Sequence, residues 1–192
     1  MLVVRKGSDL REALRTELAT RERKVLPPRE SGRAAVLIAL FEKNDDTHMW
    51  LLKRPDAMRR HAGQIAFPGG KSEPEDPSLR ETALREALEE LSILPDSVDV
   101  LGCIDDYVTI TGYTVTPFVG WVPPDLHVEP NEEEVARAFS APLSIFFEGA
   151  VPVLDRARDM IPRFSITFEG ERVWGATATM ARTLARIVRD LK

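Results

Sequence analysis

Arg85-Glu86-Ala87-Leu88-Glu89-Glu90 is the stretch on which the reading of this chain turns. At about 100° per residue in a helix, Glu86, Glu89 and Glu90 fall within an arc of roughly 100°. Leu84, Leu88 and Leu91 project from the opposite side, where they would anchor the helix to a sheet. Like charges three and four residues apart destabilise a helix by about 0.2–0.5 kcal/mol per pair. A hard divalent cation would offset that repulsion, and carboxylate and carbonyl oxygens are the donors that Mg2+ or Mn2+ takes. An acidic helix face in plain solvent is the alternative, and the flanking sequence decides between the two.

Upstream runs Phe67-Pro68-Gly69-Gly70-Lys71-Ser72-Glu73-Pro74-Glu75-Asp76. Paired glycines let the backbone turn sharply and bring a carbonyl close to a ligand. The helix is expected over residues 77–91, with Asp76 as its cap and Pro77 in the first turn, where the missing N–H costs nothing. Asp76 also lies where it can reach Arg85, a pair that reads as a structural clamp on the loop.

At this point the chain resembles the Nudix hydrolases. Their signature is Gly, five residues, Glu, seven residues, then Arg-Glu-apolar-any-Glu-Glu-any-Gly-apolar. Here Gly70 is followed after five residues by Asp76, and after eight more by Arg85-Glu86-Ala87-Leu88-Glu89-Glu90-Leu91-Ser92-Ile93. Asp76 replaces Glu, one residue is added before Arg85, and Ser92 stands for Gly. A second stretch is similar to the coenzyme A diphosphatase branch: Arg54, Arg59, Gly63 and Phe67-Pro68-Gly69-Gly70 keep its spacing. That branch shares the aspartate and the extra residue, but usually has Thr or Ser at Leu52 and Ser or Ala at Pro55. Further likeness runs through Thr114-Val115-Thr116-Pro117-Phe118-Val119-Gly120, residues 131–135 and Val173-Trp174-Gly175-Ala176-Thr177-Ala178.

The resemblance implies metal ligands at Glu86, Glu89, Glu90 and the Gly70 carbonyl, with Mg2+ or Mn2+ as cofactor. It implies substrate contacts at Arg54, Arg59, His61, Gly69 and Lys71. Arginine suits phosphate because its planar guanidinium gives charge-assisted hydrogen bonds. The general base is a catalytic glutamate of the ridge itself, Glu86, Glu89 or Glu90, or one outside it; the resemblance points to Glu134, which beside Glu132 and Glu133 also reads as part of a solvated acidic loop. The implied reaction splits the diphosphate of coenzyme A or its acyl derivatives into 3′,5′-ADP and 4′-phosphopantetheine or its acyl form. Another nucleoside diphosphate derivative, such as an ADP-sugar, a dinucleotide or a nucleoside triphosphate, would use the same ridge. A non-catalytic ligand-binding module would be expected to have lost these carboxylates.

The rest of the chain is consistent with that picture. Residues 8–23 read as an amphipathic helix with Leu10, Leu14 and Leu18 on one stripe. With the Pro27-Pro28 linker it forms an N-terminal segment, 1–32, ahead of a Nudix domain over 33–192. That helix is a cap, a homodimer contact or a surface strut. Strands are expected at 34–41 and 48–53 as a hairpin, then at 64–67, 98–105, 114–122 and 134–139, with a helical turn at 142–147. A second hairpin, 163–168 with 171–174, precedes a closing helix over 177–191 carrying Met180, Leu184, Ile187 and Leu191. Mixed strands with helices on both sides give an α/β fold, a Nudix-type α/β/α sandwich around a mixed sheet.

Composition narrows the class. No apolar run approaches the roughly 18 residues that cross a bilayer, which argues against a membrane partner. The net charge of −5 argues against a nucleic-acid backbone binder, although basic residues gather at 53–60 and acidic ones at 73–90 and 129–134. A single cysteine, Cys103, excludes a disulfide framework and a Cys-rich zinc site, and points to a reducing cytoplasm. His48, His127, Trp50, Trp121 and Trp174 read as packing or surface residues.

Overall fold

The computed structural model describes residues 7–57, 62–147, 151–153 and 163–191, apart from the side chains of 151–153 and Arg163. In chain order the elements are α1 (Gly7–Thr20), β1 (Arg33–Lys43), β2 (Asp46–Lys53), β3 (Ile65–Ala66), β4 (Gly69–Lys71), α2 (Leu79–Leu91) and β5 (Asp99–Cys103). Then come β6 (Tyr107–Val108), β7 (Thr114–Trp121), β8 (Arg137–Pro142), β9 (Val151–Val153), β10 (Arg163–Phe168), β11 (Glu171–Trp174) and α3 (Gly175–Asp190).

β1 is the organising strand. Its apolar run is buried on both faces, as a central strand requires. It pairs with β7 in parallel from Arg33 to Leu40, while β2 and β4 share its other edge antiparallel. The main sheet is therefore mixed, in the order β3-β2-β1-β7-β5, with β8 on β2 and β6 on β7. β9, β10 and β11 form a separate three-stranded sheet.

Alternation of side chains splits the core in two. Ala35, Leu37, Ala39 and Phe41 face α2, which lays Ala83, Leu84, Ala87 and Leu91 on them. Ile38 and Leu40 face the other way, where Leu10, Leu14 and Leu18 of α1 and Met180, Ala181 and Leu184 of α3 close the second layer. Each leucine buried this way contributes about 1.5–3 kcal/mol over an exposed one. Helices thus flank a mixed sheet on both sides. No helix among the described residues is long and apolar enough to cross a membrane.

Several boundaries differ from the sequence reading, each for a local reason. α2 starts two residues later than expected, because Ser78 is its cap and its hydroxyl accepts from the Glu81 amide at 3.3 Å. The Asp76 carboxylate is engaged elsewhere. Leu88 is not an anchor but 38% exposed: it sits roughly 100° around the helix from the centre of the buried arc. The strand expected at 134–139 begins at Arg137, since Glu134 and Val135 both donate their amides to the Asn131 carbonyl in a turn. Gly69 and Gly70 are not only a turn; with Lys71 they add a short strand to β1.

Candidate active site

α2 and β4 bring the acidic ridge and the paired glycines face to face. β4 can lie this close only because it begins with glycine. A Cβ at Gly69 would fall 2.6 Å from Val36 Cγ1, and one at Gly70 would clash with the Glu86 carboxylate. The Gly69 amide donates to Glu90 Oε2 at 2.8 Å. Glu86 and Glu90 therefore converge on the same two glycines.

The three carboxylates of the ridge are not equivalent. Glu90 is 1% exposed, Glu86 is half-buried and Glu89 is exposed. Burial pushes the Glu90 carboxyl up to about 7, with the charges of Glu86 and Glu134 adding to the rise; the Gly69 amide and Arg54 pull against it. Glu86 is raised for the same first reason, opposed by Arg85 and reinforced by Glu89 and Glu134. Glu134 is itself exposed, yet it bears electrostatically on the carboxyls of both Glu86 and Glu90. Its turn accounts for that position.

Two arginines answer the acids. Arg54 Nη1 stands 3.5 Å from Glu90 Oε1, and its Nε has no hydrogen-bond partner among the described residues. Its own backbone amide donates to Gln64 at 3.0 Å, which closes the loop after β2. Arg85 grips Asp76 with Nε at 2.9 Å and Nη2 at 3.1 Å, and reaches the Lys71 carbonyl at 3.1 Å. Asp76 also accepts from the Glu73 amide and the Thr82 hydroxyl, so the expected clamp is present with all its oxygens engaged. Arg85 and the Glu73 amide hold the Asp76 carboxyl well below the usual carboxylate range. Arg85 Nη1 is shared with Glu86 at 3.1 Å and Glu89 at 3.0 Å.

Among the described residues no three His, Cys, Asp or Glu side chains are drawn together closely enough to hold an ion. The donor chemistry nevertheless suits one. The side chains that meet Gly69 and Gly70 are the carboxylates of Glu90, which is buried, and Glu86, which is half-buried, held together against mutual repulsion, and hard cations prefer such oxygen donors. The Lys71 ammonium lies 5.7 Å over the Tyr113 ring. Arg59 and His61 lie outside the described residues.

Sequence reasoning missed three contributors. Thr82 completes the clamp, Asn131 ties the acidic turn to α2, and Ser92 ends α2 in the left-handed region at φ 55°. Ser92 left a trace as the non-glycine at a signature glycine, and Asn131 only as the first residue of the 131–135 stretch of resemblance.

Comparison with known proteins agrees with this architecture. The NUDIX domain family matches residues 31–145. The Nudix hydrolase NudL of Yersinia pestis (strain Pestoides F) is 43% identical over 159 residues, covering 81% of this chain and 79% of its own; NudL of Yersinia pseudotuberculosis serotype O:1b has the same values. Among solved structures, a Nudix hydrolase from Alicyclobacillus acidocaldarius superposes with TM-score 0.53 at 19% identity, over 67% of this chain and 82% of its own. A C. elegans Ap4A hydrolase in binary complex gives TM-score 0.51 at 18% identity, over 58% and 81%. Those two distant likenesses speak to the fold. With the family match over most of the chain and relatives at 43% identity, this protein belongs to the Nudix hydrolases, enzymes that act on diphosphate bonds and generally use divalent metal ions.

Proposed function

We propose that this protein hydrolyses the diphosphate linkage of coenzyme A or its acyl derivatives, with Mg2+ or Mn2+, to 3′,5′-ADP and 4′-phosphopantetheine or its acyl form. One observation carries the reading. The Arg54 guanidinium stands beside the buried Glu90 carboxylate at the paired glycines, so a phosphate-binding cation and a ligand for a divalent ion adjoin. The likeness of the segment from Arg54 to Gly70 to the coenzyme A diphosphatase branch supports the choice of substrate.

Glu86, Glu89 and Glu90, with the Gly70 carbonyl, would hold the ion. When bound it neutralises diphosphate charge and makes a water more acidic. Arg54 holds one phosphate by charge-assisted hydrogen bonds, and its Nε, which has no partner among the described residues, is a donor suited to that purpose. Glu134 takes the proton of the attacking water, whose oxygen bonds to phosphorus while the bridging P–O bond breaks with its electron pair on the departing phosphate. The Asp76–Arg85 clamp sets the approach of β4 to α2 and takes no part in proton transfer. Arg59, His61, Gly69 and Lys71 complete the proposed substrate contacts, and the lone cysteine favours a reducing cytoplasm as the place of action.

The test is product analysis with coenzyme A, ADP-ribose, NADH and nucleoside triphosphates, each with Mg2+, Mn2+ or EDTA. Metal-dependent release of 3′,5′-ADP from coenzyme A, well above turnover of the others, is expected. Preference for another diphosphate would remove coenzyme A and keep the chemistry. No hydrolysis of any would leave a binding module.

A further inference from the structure

We infer that Asn131 is the positioning residue that holds Glu134 against the carboxylates of α2. The inference rests on the reading of Glu134 as proton acceptor and adds the device that keeps it in place. Glu132, Glu133 and Glu134 are consecutive, exposed and alike in charge. Left to repulsion, such a segment would swing away from Glu86 and Glu90 into solvent. The structure holds it in.

The tie runs through one residue. The Asn131 amide donates at 3.0 Å to the Glu90 carbonyl, one of the last carbonyls of α2 and hence without a helical partner. The Asn131 carbonyl accepts from the amides of Glu134 at 3.0 Å and Val135 at 2.8 Å, and its Oδ1 accepts from the Glu133 amide at 3.2 Å. Asn131 therefore links the backbone of Glu90, whose carboxylate lies in the site, to the backbone of Glu134. Both flanks are pinned as well. Glu129 donates to the Leu91 carbonyl and accepts from the Ser92 hydroxyl, while Val135 is buried and Ala136 donates to the Lys53 carbonyl at 2.8 Å. Between these anchors the Asn131 side chain adds the bond to the Glu133 amide that supports the backbone turn, because short side-chain acceptors of this kind bond amides one or two residues on.

Substitution separates positioning from bulk structure. In the full-length protein with coenzyme A and Mn2+, Asn131→Ala is expected to lower kcat three- to ten-fold. KM, and the affinity for Mn2+ alone measured by electron paramagnetic resonance, should stay within two-fold. Asn131→Asp, which keeps the acceptor oxygen, should recover most of kcat. Placed on Glu134→Gln, Asn131→Ala should add nothing, since two residues acting through one carboxylate are not additive. Amide exchange should speed up at 133–135 in Asn131→Ala and stay slow in α2. Unchanged kcat in Asn131→Ala, or an equal loss in both backgrounds, overturns the inference. If Glu134→Gln turns over coenzyme A at the parent rate, the proton-acceptor reading fails and takes this inference with it. Loss of turnover in Glu89→Gln and Glu90→Gln would still stand for the metal ridge.

Discussion

Glu90 is the residue where burial and charge conflict most directly. At 1% exposure its carboxyl sits near 7 rather than at its ordinary 4.5, burial being the main cause. Between those values the folded state keeps a proton that the unfolded chain has released. Stability therefore falls as pH rises from about 4.5 to about 7. Glu90→Gln removes the conflict. Urea unfolding in EDTA should find the variant more stable than the parent by on the order of 2 kcal/mol at pH 8, and near parity at pH 4.5. Equal stability at both pH values would show that the carboxylate is solvated. Ser92 holds a different kind of strain, a non-glycine in the left-handed region whose hydroxyl donates to the Glu129 carbonyl at 3.0 Å. Ser92→Gly relieves the backbone and loses the hydrogen bond; Ser92→Ala loses the bond and keeps the strain. The glycine variant should be the more stable of the two by about 1 kcal/mol, read from urea midpoints at constant slope.

For α2 and its preceding loop, the clamp decides where the carboxylates point. Asp76 answers four donors, namely Arg85 Nε and Nη2, the Thr82 hydroxyl and the Glu73 amide. Its carboxyl is depressed, so its contribution is complete above the unfolded value near 4 and is lost as pH falls through the folded one. Asp76→Asn is expected to cost about 2 kcal/mol at pH 7. The gap to the parent should narrow in the acid limb of a stability–pH curve, and a constant gap down to pH 2 would argue against the pair. Clamp and ridge thus carry opposite pH signatures within one helix. The clamp and its helix were legible in the chain, because Asp76, Arg85 and the three glutamates lie within a few turns and helical phase is local. The cap was misassigned for the same reason that the clamp works: Asp76 is occupied by Arg85 and Thr82, leaving Ser78 to cap.

Across the whole molecule, the site is a convergence of parts distant in sequence: Arg54 after β2, the glycines of β4, the ridge of α2 and the acidic turn before β8. The outer parts of this convergence rest on the rest of the fold. Lys53 pairs with Glu171 at 3.0 Å and Arg137 with Glu169 at 2.8 Å, tying β2 and β8 to the β10–β11 hairpin. Arg11 and Arg15 of α1 both pair with Asp99 of β5. An ion bound only by the converged state should stabilise the entire chain. Mn2+ at about 100 times its dissociation constant is expected to add about 2.7 kcal/mol in thermal or urea unfolding, reversed by EDTA. Glu90→Gln should show less than half of that gain, and an identical gain would remove Glu90 from the ligands.

By itself the sequence determined the family, the carboxylate helix, the clamp and the central apolar strands, all of them patterns carried over a few residues. It also contained Arg54 and Glu134, but as isolated residues about eighty positions apart. Tertiary structure decided the rest. The sheet takes an arc of α2 running from Glu90 through Ala87 to Leu84, so Glu90 is buried, Glu89 is left to solvent and Leu88 drops out of the core. Helical phase gives the angles between side chains but not the direction of the neighbouring sheet, which long-range strand pairing sets. The parallel pairing of β1 with β7, and the place of β4 on the edge of β1 beyond β2, are long-range contacts of that kind.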